Sequence, residues 1–225
     1  MSSTLFDSLR GGLIVSCQAP EGSPLRDPYI LARIAKAAED AGAVAIRAEG
    51  LANVEAIKKE VSLPVIGLIK RATNSPIYIT PDISDVTDLA AAGADIIAVD
   101  ATERLRDGGI SSSEFLAQAV DAVGPVPIMA DIDSVSSALV AEQAGASIIG
   151  TTLSGYTGGP VPDRPDIQLV ADIAKTATIP IIAEGRYHTA EEVKQALAHG
   201  AMAVCIGTTL TDPWTLTKRL VAKLQ

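Results

Sequence analysis

The sequence is poor in aromatic residues, histidine and cysteine. Phe, Trp and Tyr together make up 3% of the 225 residues, and there are two histidines and two cysteines. So few imidazole and thiol groups argue against a transition-metal site with the usual ligands, and they leave only a carboxylate-bound magnesium open. Both cysteines, Cys17 and Cys205, lie in apolar runs, where we expect small buried side chains in a reducing compartment and no disulfide.

Long hydrophobic runs and an excess of positive charge are also missing. No uncharged apolar run approaches the roughly 18 residues that a membrane span needs, and residues 1–10 lack the apolar centre of a secretory signal. We therefore expect a cytoplasmic protein with no membrane partner. The formal net charge of -9 would repel a phosphodiester backbone, so we expect no nucleic-acid partner either.

Aliphatic residues dominate the composition instead. Hydrophobic residues make up 48% of the chain and charged residues 20%, which supplies enough apolar surface for one sizeable core. Abundant Ala, Val and Ile are typical of buried parallel strands that are covered by helices. Because no linker rich in Pro, Gly or Ser divides the chain, we predict a single α/β domain over residues 1–225.

A short motif recurs with a period of roughly 50 residues. Ala-Gly-Ala before an apolar run occurs at 41–43, 92–94 and 144–146, and His-Gly-Ala occurs at 199–201. Each glycine follows an amphipathic stretch, so we expect it to end a helix in the left-handed conformation just before a strand.

A second series of apolar runs lies between the members of the first. Its first member is 12–16, and each of the other three begins at a proline, Pro64, Pro127 or Pro180. Proline suits the first residue of a strand, where no ladder donor is needed. Together the two series predict eight short strands, near residues 12–17, 43–48, 64–69, 95–99, 126–130, 147–150, 179–183 and 202–206.

Helical patterns separate most of these strands. Strands and helices that alternate in this way over a chain of this length predict a (β/α)8 TIM barrel. A doubly wound parallel sheet is the alternative, but it usually carries a Gly-rich dinucleotide turn that this sequence lacks. The C-terminal segment 214–224 is apolar and helical in pattern. We expect it to pack on the barrel, the alternative being a second subunit of a homodimer.

The residues that follow each strand should line the mouth of such a barrel, where the active sites of this fold lie. They form a ring rich in charge and hydroxyl groups: Gln18, Arg47, Glu49, Lys70, Arg71, Asp100, Thr102, Asp131, Asp133, Thr151, Thr152, Glu184, Arg186 and Thr208.

Two members of the ring suit proton transfer. Lys70 ends an apolar run, so a desolvating barrel would lower its pKa toward the range useful for abstraction of a proton, although a lysine that simply reaches solvent is the alternative. Glu184 ends another apolar run and would act as its acid or base partner, or would hold a nearby cation. Arg47 and Asp131 could contact a substrate or form a structural ion pair, and Thr152 could bind the substrate through its hydroxyl.

The turns after the seventh and eighth strands predict a barrel of the phosphate-binding type. Gly185 with Arg186, and Gly207 with Thr208, lie where such barrels often bind phosphate through backbone N–H groups. The Gly-rich segment 151–159 after the sixth strand would form either a closing lid or a loose loop.

These strand ends also resemble those of the N-acetylmannosamine-6-phosphate 2-epimerase family. The resemblance runs from about Gly11 to Thr211 and rests on the following segments: Leu-Ile-Val-Ser-Cys-Gln-Ala at 13–19, Ile-Arg-Ala-Glu-Gly at 46–50, Ile-Gly-Leu-Ile-Lys-Arg at 66–71, Tyr-Ile-Thr-Pro at 78–81, Ala-Val-Asp-Ala-Thr at 98–102, Met-Ala-Asp-Ile at 129–132, Gly-Thr-Thr-Leu-Ser-Gly-Tyr-Thr at 150–157 and Ile-Ala-Glu-Gly-Arg at 182–186.

The resemblance implies interconversion of N-acetylmannosamine 6-phosphate and N-acetylglucosamine 6-phosphate in sialic acid breakdown, without a metal or an organic cofactor. By the same resemblance, Lys70 would move the C2 proton and Glu184 would assist as acid or base. The matching Gln18, Arg47 and Asp131 would hold the sugar and help to open its ring.

The sequence departs from the family at one position. The family commonly has Thr-Arg-Pro after the eighth strand, with an arginine that contacts the phosphate, whereas this chain has Thr211-Asp212-Pro213. An aspartate cannot replace that contact, so the phosphate would depend on Arg186 and on the N–H groups of Gly185, Gly207 and Thr208.

Two other functions stay open on the residues. A lysine in an apolar mouth also suits a Schiff-base aldolase, in which Lys70 would attack the carbonyl of a phosphorylated sugar. A barrel that senses a sugar phosphate without converting it is the second alternative.

Overall fold

The computed structural model describes residues 2–71 and 76–224. Eight parallel strands in chain order form a closed barrel in which the eighth strand pairs with the first. The strands are β1 (Leu13–Cys17), β2 (Ala45–Glu49), β3 (Val65–Leu68), β4 (Ile96–Asp100), β5 (Ile128–Asp131), β6 (Ile148–Gly150), β7 (Ile181–Glu184) and β8 (Ala203–Ile206).

Helices follow the strands around the outside of the barrel, one further helix precedes the first strand, and two helices follow the last strand. The helices are α1 (Ser2–Leu9), α2 (Pro28–Asp40), α3 (Leu51–Glu60), α4 (Ile83–Ala91), α5 (Ser112–Val123), α6 (Val135–Gln143), α7 (Ile167–Ala174), α8 (Ala190–Ala198), α9 (Thr208–Thr211) and α10 (Pro213–Ala222). A single 3-10 turn, Asp107–Gly109, precedes α5.

The predicted TIM barrel is therefore confirmed, and each predicted strand lies within a few residues of an observed one. The three prolines precede their strands, and their carbonyls accept ladder bonds from the neighbouring strands; Ile46 N–H, for example, donates to the Pro64 carbonyl at 3.0 Å. The repeated glycines end helices in the left-handed region as predicted, with φ of +97° at Gly42 and +107° at Gly200.

Apolar side chains form two separate layers. One lies between the strands and the outer helices, and the other fills the inside of the barrel. Helix α1 belongs to the inner layer, because Leu9 is fully buried in it and Leu5 and Phe6 pack against it. The sequence analysis did not predict this helix.

The expected packing of the C-terminal segment on the barrel is wrong for its apolar residues. No residue of α10 is buried, and Leu220, Val221 and Leu224 expose between 49% and 85% of their surface. Trp214 is half-buried, with the ammonium of Lys218 4.0 Å from its ring centroid. In the described residues, no helix is both long enough and apolar enough to cross a membrane.

Candidate active site

Along each strand, side chains point alternately to the inside and the outside of the barrel. This alternation continues beyond the inner apolar layer, so the site residues point inward at the barrel mouth. Side chains two positions apart on a strand share a face, so the residue two places after an inward apolar side chain also points inward. Each of the four charged site residues follows such a residue in this way. The pairs are Ala45 and Arg47, Leu68 and Lys70, Met129 and Asp131, and Ile182 and Glu184.

A cavity of about 1110 Å³ opens at this end of the barrel. Ten of the predicted mouth residues line it: Gln18, Arg47, Glu49, Lys70, Thr152, Glu184, Gly185, Arg186, Gly207 and Thr208. Asp131 does not line the cavity, since it is fully buried beneath Arg47. Arg71 points elsewhere in the mouth and bonds to Asp85.

Arg47 ties three strands of the barrel together. Its Nη1 donates to Glu184 Oε2 at 2.7 Å and its Nη2 donates to Asp131 Oδ2 at 2.5 Å, while its side chain is only 1% exposed. Burial alone would lower the pKa of this guanidinium, but the carboxylates of Asp131 and Glu184 outweigh that effect and raise it. Arg47 is therefore a fixed positive charge at the base of the cavity.

Asp131 supports this arrangement from below. Its Oδ1 accepts from Thr152 Oγ1 at 2.6 Å, and Thr152 in turn lies 3.4 Å from Arg47 Nη1. Arg47 and Asp131 therefore form the ion pair that was one of the two alternatives expected for them, and Arg47 also lies at the cavity wall.

Lys70 lines the same cavity and contacts a different set of groups. Its Nζ donates to Gln18 Oε1 at 2.7 Å, and Gln18 Nε2 donates to Ser16 Oγ at 2.9 Å. The side chain keeps access to solvent, yet the surrounding protein and the positive charge of Arg47 lower its pKa below the ordinary 10.5. A lowered pKa leaves more of the amine neutral and able to accept a proton.

Glu184 shows the opposite shift. Burial raises the pKa of its carboxyl above the ordinary 4.5, with a further contribution from Asp131, and the positive charge of Arg47 only partly opposes this. Glu184 thus keeps its proton to a higher pH than an ordinary carboxyl, and Lys70 loses its proton at a lower pH than an ordinary amine. A pair of groups whose pKa values are displaced in these directions is typical of proton transfer at a catalytic site.

Two neighbours of Glu184 were given no role from the sequence, although Thr151 belongs to the predicted ring of mouth residues. Thr151 is 2% exposed, and its hydroxyl hydrogen-bonds both the N–H and the carbonyl of Glu184. Cys205 pairs with Glu184 in the strand register, and burial and the nearby carboxylate raise its thiol pKa well above the ordinary value. Cys205 was predicted only as a small buried side chain, and a residue's neighbour across a barrel ladder cannot be read from local sequence.

Arg186 binds a loop in this structure. It has a positive φ of +62°, its Nε donates to the Arg164 carbonyl at 2.8 Å, and its Nη1 donates to the Ser154 carbonyl. Its guanidinium also lies 5.3 Å from the Tyr156 ring centroid. The Gly-rich segment after β6 is therefore held against the cavity by Arg186.

Asp212, where the family commonly has arginine, has a clear structural role. It is 7% exposed, and its carboxylate accepts from Thr215 N–H at 2.9 Å as the N-cap of α10. Asp212 also lines the cavity, as does His188, whose Nδ1 lies 2.6 Å from Thr209 Oγ1.

Asp100 and Glu49 support neighbouring cations, as expected. Asp100 is fully buried and accepts from Arg104 Nη2 at 2.8 Å, and Glu49 lies 3.6 Å from Arg26. Across residues 2–71 and 76–224, no three His, Cys, Asp or Glu side chains cluster closely enough to hold a metal ion.

Comparison with known proteins places this geometry in a family. The NanE family profile, described as "Putative N-acetylmannosamine-6-phosphate epimerase", matches residues 31–225. A protein of Caldanaerobacter subterraneus subsp. tengcongensis, named "Putative N-acetylmannosamine-6-phosphate 2-epimerase", is 48% identical over 223 residues, which cover 98% of this chain and 94% of that one. A protein of the same name from Klebsiella pneumoniae subsp. pneumoniae is 50% identical over 202 residues, covering 89% and 84%.

Solved structures agree with this assignment. The N-acetylmannosamine-6-phosphate 2-epimerase from Clostridium perfringens superposes with a TM-score of 0.90 at 40% identity, over 97% of this chain and 96% of that one. The thiamine phosphate pyrophosphorylase from Pyrococcus furiosus, at a TM-score of 0.60 and 16% identity over 98% and 96% of the two chains, shares the fold alone. With half its sequence shared with such relatives and its barrel matched throughout, the chain belongs to the N-acetylmannosamine-6-phosphate epimerase family.

Proposed function

We propose that the protein interconverts N-acetylmannosamine 6-phosphate and N-acetylglucosamine 6-phosphate by removing the proton at C2 of the open-chain sugar and returning it to the opposite face. The observation that carries the proposal is that Lys70 and Glu184 line one cavity. The pKa of Lys70 is lowered and the pKa of Glu184 is raised, so each group is shifted toward its uncharged form. The names of the relatives favour this reaction over the aldolase and sensor alternatives.

The chemistry requires four steps. A proton at C2 is acidic only when C1 is an aldehyde, so the ring must open before the proton is removed. The neutral amine of Lys70 then takes the C2 proton, and the charge that develops on the former aldehyde oxygen must be stabilised. Return of a proton to the other face gives the epimer, and the ring closes again. Glu184 assists these transfers as acid or base.

Arg47, Asp131 and Gln18 would position the sugar for this sequence. Arg47 keeps its positive charge throughout, because two carboxylates raise its pKa, so it can stabilise a developing negative oxygen without itself losing a proton. Asp131 fixes the plane of that guanidinium through two of its nitrogens. Gln18 orients the Lys70 amine, and its remaining amide hydrogen is available to a sugar hydroxyl.

We assign the phosphate to the β7 and β8 end of the cavity. Gly185, with φ of +113°, and Gly207 bring backbone N–H groups to the wall beside Thr208. Arg186 contributes positive charge there, although two of its nitrogens hold the loop after β6. Thr152 lies between this end and the Arg47 network.

The direct test is solvent exchange at C2. Purified protein, treated with a chelator and placed in D2O with N-acetylmannosamine 6-phosphate, should replace the C2 hydrogen with deuterium and form the second epimer, both followed by NMR. If neither epimer exchanged its C2 hydrogen, the proposal would be refuted. Borohydride trapping separates the aldolase alternative, since a covalent adduct on Lys70 would favour a Schiff base.

We also propose a cytoplasmic location and a homodimer. The two cysteines are buried and free, which suits a reducing compartment. The exposed apolar residues of α10 and the adjacent Leu224 form a surface that a second copy could cover. Light scattering on the purified protein tests the dimer, and a monomer at all concentrations would exclude it.

A further inference from the structure

The cavity extends beyond Lys70 and Glu184 to the C-terminal helix. Arg219 and Lys223, both on α10 or its C-cap, line its wall together with the residues at the end of β8. This end of the cavity therefore contains two cations that the proton transfer does not use.

The other cations of the cavity wall are occupied. Arg47 is bonded to Asp131 and Glu184, and Lys70 is bonded to Gln18. Arg26 donates to the Ala19 carbonyl at 3.2 Å, and Arg186 donates to two loop carbonyls, as described above.

Arg219 and Lys223 differ from these cations in two respects. Within the described part of the chain, neither side chain forms an ion pair or a hydrogen bond, and both are exposed. They are four residues apart, so they lie on one face of the helix, one turn from each other. That face also carries Asp212 at the helix N-cap, whose carboxylate is already engaged by Thr215 N–H.

We propose that Arg219 and Lys223 bind the anionic group at the far end of the substrate and make the enzyme select phosphorylated over neutral sugars. The inference rests on the proposed function, which supplies a dianionic ligand. A guanidinium can bond two phosphate oxygens at once, and an ammonium adds a point charge beside it. The pair also offsets the negative charge that Asp212 brings to the same wall, in a chain whose net charge is -9.

The test compares the double variant Arg219→Ala/Lys223→Ala with Lys218→Ala. Lys218 neighbours Arg219 on the same helix, but its ammonium lies over the Trp214 ring and it does not line the cavity, so it controls for lost surface charge. The measured quantities are kcat and KM for N-acetylmannosamine 6-phosphate, and the rate of C2 exchange on unphosphorylated N-acetylmannosamine. Arg219→Lys tests whether charge alone suffices.

We expect KM for the phosphorylated sugar to rise about tenfold in the double variant, with kcat nearly unchanged, because charged hydrogen bonds to a remote group are lost. Exchange on the neutral sugar should stay at the wild-type rate, and Lys218→Ala should match wild type on both sugars. Equal losses on the two sugars, or equal effects of the double variant and Lys218→Ala, would overturn the proposal.

A binding measurement keeps this result separate from the fate of the proposed function. Titration of wild type and variants with inorganic phosphate, followed by calorimetry at low ionic strength, needs no turnover. If the double variant binds phosphate about tenfold more weakly than wild type, the anion site stands even where C2 exchange fails. If the double variant binds phosphate as tightly as wild type, the anion site is refuted even where epimerisation is present.

Discussion

The hydroxyl of Thr151 bonds both polar groups of the Glu184 backbone: it donates to the carbonyl and accepts from the N–H, each at 3.0 Å. Thr151 follows β6 and Glu184 ends β7, so one side chain closes the gap between two neighbouring strands just where the ladder ends. Glu184 is therefore positioned twice: Thr151 fixes its backbone, and Arg47 bonds its carboxylate. The precision of the site depends on this cross-strand contact.

Replacement of Thr151 by valine should lower kcat without a matching rise in KM. Valine has the shape of threonine but leaves the Glu184 N–H and carbonyl unpaired in a buried place, at a cost of about 1–3 kcal/mol in the free energy of unfolding. Thr151→Ser restores the hydroxyl and should recover most of the activity. Steady-state kinetics and urea unfolding measure both effects, with the exposed Thr217→Val as control. Full activity in Thr151→Val would show that the hydrogen bonds from Thr151 to the Glu184 backbone are dispensable.

Lys70 should be the most reactive lysine toward an amine reagent near neutral pH. Burial and Arg47 lower its pKa, so a larger fraction of its amine is neutral, whereas hydrogen bonds to Glu39 and Asp40 raise the pKa of Lys36 and keep it protonated. Brief treatment with a trinitrophenylating reagent, followed by peptide mapping, should find Lys70 modified first and Lys36 among the last. Lys36 modified ahead of Lys70 would contradict the assigned shifts.

Substitution of Lys70 by alanine should lower C2 exchange by about a thousandfold, in line with the loss of a general base. The side chain lines the mouth and, among the described residues, hydrogen-bonds Gln18 alone, so the fold should survive the change. Exchange is followed by NMR and folding by circular dichroism, with Lys218→Ala as the matched lysine control. If a folded variant still exchanged the C2 proton, the general base would have to be another residue.

The barrel and most of its mouth could be predicted from local sequence. Prolines before strands and glycines after helices mark boundaries that depend on backbone conformation alone, and eight such units allow few closed arrangements. The positions of Arg47, Lys70, Asp131 and Glu184 at or just after the ends of the predicted strands then predicted that they lie at the barrel mouth. These inferences need no knowledge of distant neighbours.

What could not be predicted depends on contacts between distant segments. Arg186 was assigned to the phosphate on position alone, whereas its guanidinium also bonds carbonyls more than twenty residues earlier in the chain. Asp212 looked like a lost phosphate ligand, and only the start of α10 at the next residue shows that it caps a helix. Helix α1 was missed because its eight residues carry a weak apolar pattern, and its stability comes from the barrel that it closes.

Replacement of Arg47 by methionine should destabilise the protein strongly. The change leaves the carboxylates of Asp131 and Glu184 buried without their cation, which typically costs about 3–5 kcal/mol. The control is Lys58→Met, which breaks the half-exposed ion pair between Lys58 and Asp95. That pair has the same N···O distance of 2.7 Å as the Arg47–Glu184 pair, but its loss should lower the free energy of unfolding by about 1 kcal/mol or less. Urea unfolding measures both.

The sign of the pH dependence provides a second check on Arg47→Met. Burial already raises the pKa of Glu184, and Arg47 opposes that shift, so without the cation the pKa rises further and the native state binds more protons than the unfolded state. The deficit in stability should therefore be largest at neutral pH and should shrink as the pH falls through the raised pKa of Glu184. A deficit that is constant with pH would mean that the loss comes from packing alone.

The pH profile of kcat/KM should be a bell that reports Lys70 and Glu184 together. The active form has a neutral amine on Lys70 and a protonated carboxyl on Glu184, and its population is largest between the lower pKa, that of Glu184, and the higher pKa, that of Lys70. The lowered pKa of Lys70 and the raised pKa of Glu184 bring both limbs inward from 10.5 and 4.5. Because the two groups interact, the apparent values belong to the pair.

Glu184→Gln isolates the two limbs. Glutamine cannot lose a proton, so the falling limb should disappear while the rising limb of Lys70 remains, at a rate lowered about 100-fold or more by the loss of acid-base assistance. The remaining limb should inflect at the pKa of the Lys70 amine, and therefore at higher pH than the rising limb of wild type, because the lower pKa of Glu184 sets the wild-type rising limb. A falling limb that survives in Glu184→Gln would assign it to another group, and Cys205→Ser, which changes the other buried titratable neighbour, would then identify or exclude the thiol.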